Sequence, residues 1–187
     1  MQKAPSQKEI NIFLELYKSK RYIEAEKLAY TFTKEFPKYS FGWKALGVVL
    51  KKTGKISESL TANQKALQIN PQDAEVYFNL ANSLKDLNKT KDAVVNYKKA
   101  IDLKLDYVEA YNNLGIILRE LKKLTESESS YKKAIQINPN FADAYNNLGY
   151  TLRELGRLNE SEASYKKAIK LKPDFPDAFN NLGLVLR

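Results

Sequence analysis

The feature that most constrains this chain is an internal repeat: slid against itself by 34 residues, the sequence finds itself again. Ala110-Tyr111-Asn112-Asn113-Leu114-Gly115 falls on Ala144-Tyr145-Asn146-Asn147-Leu148-Gly149, and Tyr131-Lys132-Lys133-Ala134-Ile135 falls on Tyr165-Lys166-Lys167-Ala168-Ile169. A fixed period of this length describes an array, in which each segment buries its apolar face against the next instead of around one shared core. Cutting at the period gives a tail at 1–5, repeats at 6–39, 40–73, 74–107, 108–141 and 142–175, and the first helix of a sixth, truncated repeat at 176–187. Within each repeat the apolar residues recur at helical spacing in two blocks of about 12 to 14 residues, an ordinary helix length. The expected fold is therefore all-α, built from antiparallel helix pairs.

Start and stop signals fit that expectation. Ser6 with Glu9, Asp106 with Glu109, Thr125 with Glu128 and Asn159 with Glu162 have capping-box spacing and predict helix N-termini. Between the helices of a pair, Gly54 and Gly156 supply a residue that tolerates positive φ, with Asn88 as a substitute. Pro37, Pro71, Pro139 and Pro173 mark where second helices end. Gly47, Gly115, Gly149 and Gly183 lie in helix interiors, where glycine costs about 1 kcal/mol relative to alanine. Close helix contact offsets that cost if the facing sites are small, as Ala66, Ala100, Ala134 and Ala168 are, with Tyr97, Tyr131 and Tyr165 filling the adjacent space. Repeat 6–39 exchanges these volumes, with Phe13 and Phe32 at small sites and Ala29 at the aromatic one.

Tyr145, Leu148, Gly149, Leu152, Ser161, Tyr165, Ala168 and Pro173 resemble the tetratricopeptide repeat pattern, and Trp43, Leu46, Gly47, Leu50, Ser59, Ala66 and Pro71 repeat it with Asn63 in the aromatic place. Leu105 replaces the terminal proline of repeat 74–107. The resemblance implies a right-handed superhelical solenoid whose first helices line a concave groove. It extends to the arrays that precede O-linked N-acetylglucosamine transferase domains, where an asparagine ladder binds protein substrates.

Composition narrows the chemistry. There is no Cys and no His, which removes thiolate nucleophiles, sulfur-ligated metals and the commonest general base. No phosphate-cradling Gly-rich loop is present, no carboxylate pair stands apart from surface helix charge, and no catalytic role or cofactor is expected. Any chemistry is expected beyond residue 187. No stretch has the length and apolarity of a membrane span, and a cytoplasmic protein is expected. The net charge of +9 is concentrated in the first 73 residues. The repeated Tyr-Lys-Lys places its Tyr in the core and its Lys pair on an outer face, so a solvated face is preferred to nucleic acid, which stays open only as an acidic partner of the N-terminal end.

Under the family pattern, inward positions of the first helices are the second, fifth, sixth, ninth and twelfth of each repeat. The sixth reads Asn11, Ala45, Asn79, Asn113, Asn147 and Asn181, with a second asparagine preceding it in Asn112, Asn146 and Asn180. A carboxamide donates and accepts, which suits the backbone of an extended peptide, and rungs about 10 Å apart meet about every third residue of such a chain. The same amides are equally suited to bonding neighbouring helices. Glu75, Glu109, Asp143 and Asp177 stand at the second position and Lys51, Lys85, Arg119, Arg153 and Arg187 at the twelfth; they form two groove edges or simply complement the helix dipoles. Val48, Ile116, Tyr150 and Leu184 occupy the ninth, with Leu14 and Asn82 in register. A chaperone-tail clamp does not fit, because its best register gives Lys44, Val48, Asn79, Glu109 and Asn113, and Glu109 repels a carboxylate.

The expected function is binding of an extended protein segment in the groove. Asn79, Asn113, Asn147, Asn181, Asn112 and Asn146 are the expected contacts, and Lys85, Arg119 and Arg153 would meet acidic groups. Two alternatives stay open: a scaffold that self-assembles through the last helix, with Phe179 and Leu186 at the contact, and a recruiting domain for a downstream modifying enzyme.

Overall fold

The computed structural model describes residues 4–186, and among them are eleven α-helices and no strand. They fall into two compact units, Met1–Leu103 and Lys104–Arg187. The first unit holds α1 (Gln7–Lys18), α2 (Tyr22–Glu35), α3 (Ser40–Lys52), α4 (Ile56–Ile69), α5 (Ala74–Asp86) and α6 (Thr90–Leu103). The second holds α7 (Val108–Glu120), α8 (Leu124–Ile137), α9 (Ala142–Glu154), α10 (Leu158–Leu171) and α11 (Pro176–Val185). Within each unit every helix packs on its neighbours in sequence, and first helices of successive pairs also meet, α3 with α5, α7 with α9 and α9 with α11. The division follows Leu103, beside Leu105, which stands where other repeats have proline and is 74% exposed.

One turn is used five times. Lys20, Gly54, Asn88, Lys122 and Gly156 all have positive φ, between 58° and 80°. After each, the next amide reaches back five residues: Arg21 N to Leu16 O, Lys55 to Leu50, Lys89 to Leu84, Lys123 to Leu118 and Arg157 to Leu152, at 2.8–2.9 Å. These are Schellman bonds, which satisfy carbonyls left open at a helix C-terminus. Gly54, Gly156 and Asn88 were legible as such turns; Lys20 and Lys122 were not, because lysine carries no preference for this conformation.

Three of the four expected caps are corrected, those at Thr125 and Asn159 by this turn. Ser6 does form a capping box with Glu9. Thr125 and Asn159 are instead the second residues inside α8 and α10, whose N-caps are Lys123 and Arg157, and Asp106 precedes the N-cap Tyr107 of α7. The positive-φ residue fixes where the second helix starts, one residue after its basic neighbour, whatever polar side chains follow. Charge replaces the hydroxyl cap at Arg21 and Arg157, which bond Glu24 and Glu160 one turn on. Sequence spacing also missed Asp73, whose Oδ1 accepts from Glu75 N and Val76 N at 3.0 and 3.2 Å.

Three of the four interior glycines, Gly47, Gly115 and Gly149, are contact points, whereas Gly183 does not meet the expected close contact, because a Cβ there has no atom within 4 Å. A Cβ on Gly115 would lie 2.6 Å from Tyr131 Cε1, and one on Gly149 2.8 Å from Tyr165 Cε1. Tyr131 and Tyr165 are fully buried, so their rings pass directly across the glycine backbone. A hydroxyl closes each contact: Ser59, Ser127 and Ser161 donate to the Gly47, Gly115 and Gly149 carbonyls at 2.7–2.8 Å. Ser59 Oγ also meets Ser83 Oγ at 3.0 Å, and Ser83 donates to Asn79 O. In the second unit Thr151 Oγ1 lies 3.4 Å from Ser127 Oγ and donates to Asn147 O. Asn63, in the aromatic place, folds its amide back on Ser59 O and leaves its buried Oδ1 without a partner.

The volume exchange in the first repeat is realised as an aromatic cluster. Phe13 and Phe32 are buried, with ring centroids 6.4 Å apart, and each lies 6.0 Å from Phe41. Ala29, at the site where later repeats carry tyrosine, is fully buried beside them.

Candidate functional site

In the first unit, residues from three first helices meet at one cleft of about 230 Å³. Tyr17 comes from α1, Gly47, Val48, Lys51 and Lys52 from α3, and Phe78, Asn79 and Asn82 from α5. The register places Phe78 at the fifth position, Asn79 at the sixth, Val48 and Asn82 at the ninth and Lys51 at the twelfth, so four of the five inward positions share this wall. Asn79 is held from behind, since its carbonyl accepts from the buried Ser83 hydroxyl at 3.1 Å. Tyr17 and Phe78 supply aromatic surface that the sequence reading did not single out. A more open depression of about 360 Å³ is lined by α8 alone, so no second element encloses a ligand there.

Lys44 and Lys51 of this unit are internally answered. Lys44 bonds Asp73 and Glu75, and Lys51 bonds Asp86 at 2.6 Å. Lys85 is half-buried on α5.

In the second unit the paired asparagines bond each other across helices. Asn147 Nδ2 donates to Asn112 Oδ1 and Asn181 Nδ2 to Asn146 Oδ1, both at 3.1 Å, and Asn112 Nδ2 lies 3.5 Å from Asn113 Oδ1. The doubled asparagine is thereby explained locally: the fifth-position amide of one helix receives the sixth-position amide of the next, 35 residues on. Asn112 is buried, whereas Asn113, Asn146, Asn147 and Asn181 keep partial exposure. The ladder is thus two separate amide pairs, in which Asn147 and Asn181 each spend one donor on the preceding first helix. A carboxamide has two N–H groups and a carbonyl with two lone pairs, so that single bond leaves most of its capacity outward.

Arg119 and Arg153 both lie over the ring of Tyr150, with guanidinium carbons 4.3 and 4.7 Å from its centroid. Neither makes an ion pair among the described residues. Tyr150 was legible only as part of an apolar ninth-position stripe; its stacking role depends on α7 and α9 being adjacent. The Tyr131 and Tyr165 hydroxyls are buried with no hydrogen-bond partner of normal geometry. Burial pushes both above the usual phenol range, against the opposing pull of Arg119 on Tyr131 and of Arg153 and Arg119 on Tyr165. Arg187, the next member of the twelfth-position series, lies outside the described residues.

Among the described residues no group of acidic side chains is placed to hold a metal ion, and no helix is long and apolar enough to cross a membrane.

A family model for the TPR repeat matches residues 47–88, 81–121 and 149–186, and two further tetratricopeptide repeat models match 130–163 and 108–141. No curated protein matches the sequence. Among solved structures, MamA is similar with a TM-score of 0.78 and 22% identity over 87% of this chain and 95% of that one. YrrB gives 0.75 and 21% over 94% of this chain and 91% of its own. TTC0263, a protein of Thermus thermophilus, gives 0.75 and 21% over 96% and 98%. At these identities the likeness establishes the fold: an all-helical tetratricopeptide solenoid.

Proposed function

Because the chain belongs to the tetratricopeptide repeat family, we propose that it binds an extended protein segment along the faces of its first helices. The observation that carries this reading is the cleft walled by α1, α3 and α5, where aromatic, amide and basic side chains from three successive repeats share one surface. Tyr17 and Phe78 give that surface apolar area, while Asn79 offers a carboxamide able to pair with peptide backbone whatever its side chains. In the second unit Asn113, Asn147 and Asn181 are the corresponding rungs, with Asn112 and Asn146 orienting Asn147 and Asn181 by accepting from them. Lys85, Arg119 and Arg153 meet acidic groups of the segment. YrrB, of similar fold, has an unusual peptide-binding site. The Asn-Asn-Leu-Gly run further supports the resemblance to arrays that precede O-linked N-acetylglucosamine transferase domains, in which such amides hold protein substrates.

The test is a peptide-array screen of the chain beside a variant with Asn79, Asn113, Asn147 and Asn181 changed to Ala. Loss of sequence-tolerant binding with the helical signal intact is the expected result. Unchanged binding refutes the role of the ladder. A variant with Asn112 and Asn146 changed to Ala separates the two uses of these amides: it removes the interhelix acceptors while sparing the four rungs. If the ladder serves only to join helices, this variant loses as much stability as the fourfold one and neither alters binding.

A second reading, self-assembly through α11, is favoured by the exposure of Phe179 and Leu186, at 51% and 61%. Phe179→Lys with Leu186→Lys then yields a smaller particle in solution. An unchanged mass disposes of that reading.

A further inference from the structure

The two units treat the same register positions differently. In the first, the twelfth-position Lys51 is answered by Asp86, and the Tyr97 hydroxyl donates to the ninth-position Asn82 at 2.6 Å. Cation and phenol are both satisfied from within. In the second unit the counterpart of Asp86 is Glu154, which is engaged by Lys122 at 3.0 Å and leaves Arg119 unanswered. The counterparts of Asn82 are Ile116 and Tyr150, and the Tyr131 and Tyr165 hydroxyls have no hydrogen-bond partner. Two guanidiniums therefore stack on the Tyr150 ring with no acidic partner among the described residues. Stacking holds the arginines beside one another against their mutual repulsion and leaves their N–H edges free. Guanidinium N–H edges pair most strongly with carboxylates, so two stacked arginines with no acidic partner mark a place that an anion can fill.

We infer that Arg119, Tyr150 and Arg153 form an oxyanion subsite that takes the side-chain carboxylate of an acidic protein segment lying along the second unit. The inference rests on the reading of the first-helix faces as a segment-binding surface. Charge complementarity sets the occupant's sign, and the openness of the site sets its source. Both arginines are partly exposed, so a small free anion competes there with water and screening salt. A carboxylate on a segment already held by Asn147 and its neighbouring amides arrives at a high effective concentration.

The experiment measures fluorescence anisotropy of a labelled twelve-residue peptide of alternating Glu and Ser, with alternating Gln and Ser as the neutral probe, on the full chain. The Glu peptide is expected to bind at least about tenfold more tightly than the Gln peptide, as charge-assisted bonds to guanidinium require. Arg119→Gln with Arg153→Gln should remove that preference without moving the thermal transition. Tyr150→Phe should retain the preference and Tyr150→Leu should weaken it, since only the ring is used. Lys132→Gln with Lys133→Gln, removing the same charge from α8, should leave it intact. An equal loss in the Lys pair variant overturns the subsite in favour of net charge alone. Equal binding of both peptides, abolished by the fourfold asparagine variant, leaves the segment-binding surface standing and refutes the subsite. No binding of either peptide refutes both. Inorganic phosphate competing at the affinity of the Glu peptide overturns the assignment to a protein segment.

Discussion

Gly115→Ala should destabilise the protein, although alanine is the better helix former. On a solvent-facing turn the change would gain about 1 kcal/mol of helix propensity. At Gly115 the new Cβ would lie 2.6, 2.8 and 2.9 Å from Cε1, Cζ and Cδ1 of Tyr131. Carbon atoms rest about 3.5–4.0 Å apart, so the ring would have to retreat by about 1 Å. It has nowhere to go: Tyr131 is fully buried and packed against Leu148 and Leu152. Overpacking of this kind costs about 1–3 kcal/mol, which cancels or exceeds the propensity gain. Gly183 provides the reference, because a Cβ there meets nothing within 4 Å. The propensity gain is shared in kind by both variants, so the gap between them isolates the overpacking. For a chain of this size the gap corresponds to about 2–12 °C in Tm, with Gly183→Ala the more stable. Thermal unfolding followed by helical circular dichroism measures it. A double-mutant cycle sharpens the test: in a Tyr131→Leu background the obstructing ring atoms are gone, and Gly115→Ala should become neutral or favourable. If Gly115→Ala raises Tm as Gly183→Ala does, or costs the same with and without Tyr131, close contact is not why glycine stands there.

Three further outcomes are expected. Lys20→Gly should stabilise by about 1 kcal/mol, because a lysine at φ 59° occupies the left-handed region that only glycine adopts freely; Gly156→Ala, at φ 74°, should lose a similar amount in the same melt. Ser127→Ala should cost about 1 kcal/mol through loss of the bond to the Gly115 carbonyl, measured as a shift in urea midpoint with unchanged slope. Glu128 should confer a pH dependence. Burial works to raise its carboxyl, but Lys132 and Arg157, at 2.6 and 2.7 Å, outweigh it and hold the carboxyl below the usual range. A depressed folded-state pKa contributes stability that is complete above the unfolded value of about 4.3 and is lost as pH falls through the lower folded value. Melting curves between about pH 6 and about pH 3 should fall more steeply for the wild type than for Glu128→Gln; parallel curves would rule Glu128 out as the source.

Much of this was written in the sequence. The 34-residue period places the first helices, and α3, α5, α7, α9 and α11 open at Ser40, Ala74, Val108, Ala142 and Pro176 in step with it. Close approach at Gly47, Gly115 and Gly149 was legible from glycine in a helix interior, but the approaching group is Asn63 or a tyrosine ring and not the expected alanine, and Gly183 has no such contact. The asparagine ladder was legible as a column but not as bonded pairs, since a bond between Asn147 and Asn112 depends on how far adjacent helices are rotated about their own axes. Helix starts were misread at Thr125 and Asn159 for a related reason: a capping motif is local, whereas the start of each second helix is fixed by the five-residue backbone bond of the preceding turn.

Periodicity and residue size are properties of the chain, so the sequence alone determined that this protein is an array of helix pairs, where each pair begins, and which faces pack. Satisfaction is a property of neighbours in space. Only the tertiary structure decided that Lys51 meets Asp86 while Arg119 meets the face of Tyr150, and that Tyr97 finds an acceptor while Tyr131 and Tyr165 do not. Side chains at equivalent positions of the repeat differ in their bonding because each is answered, or left unanswered, by whatever stands opposite it.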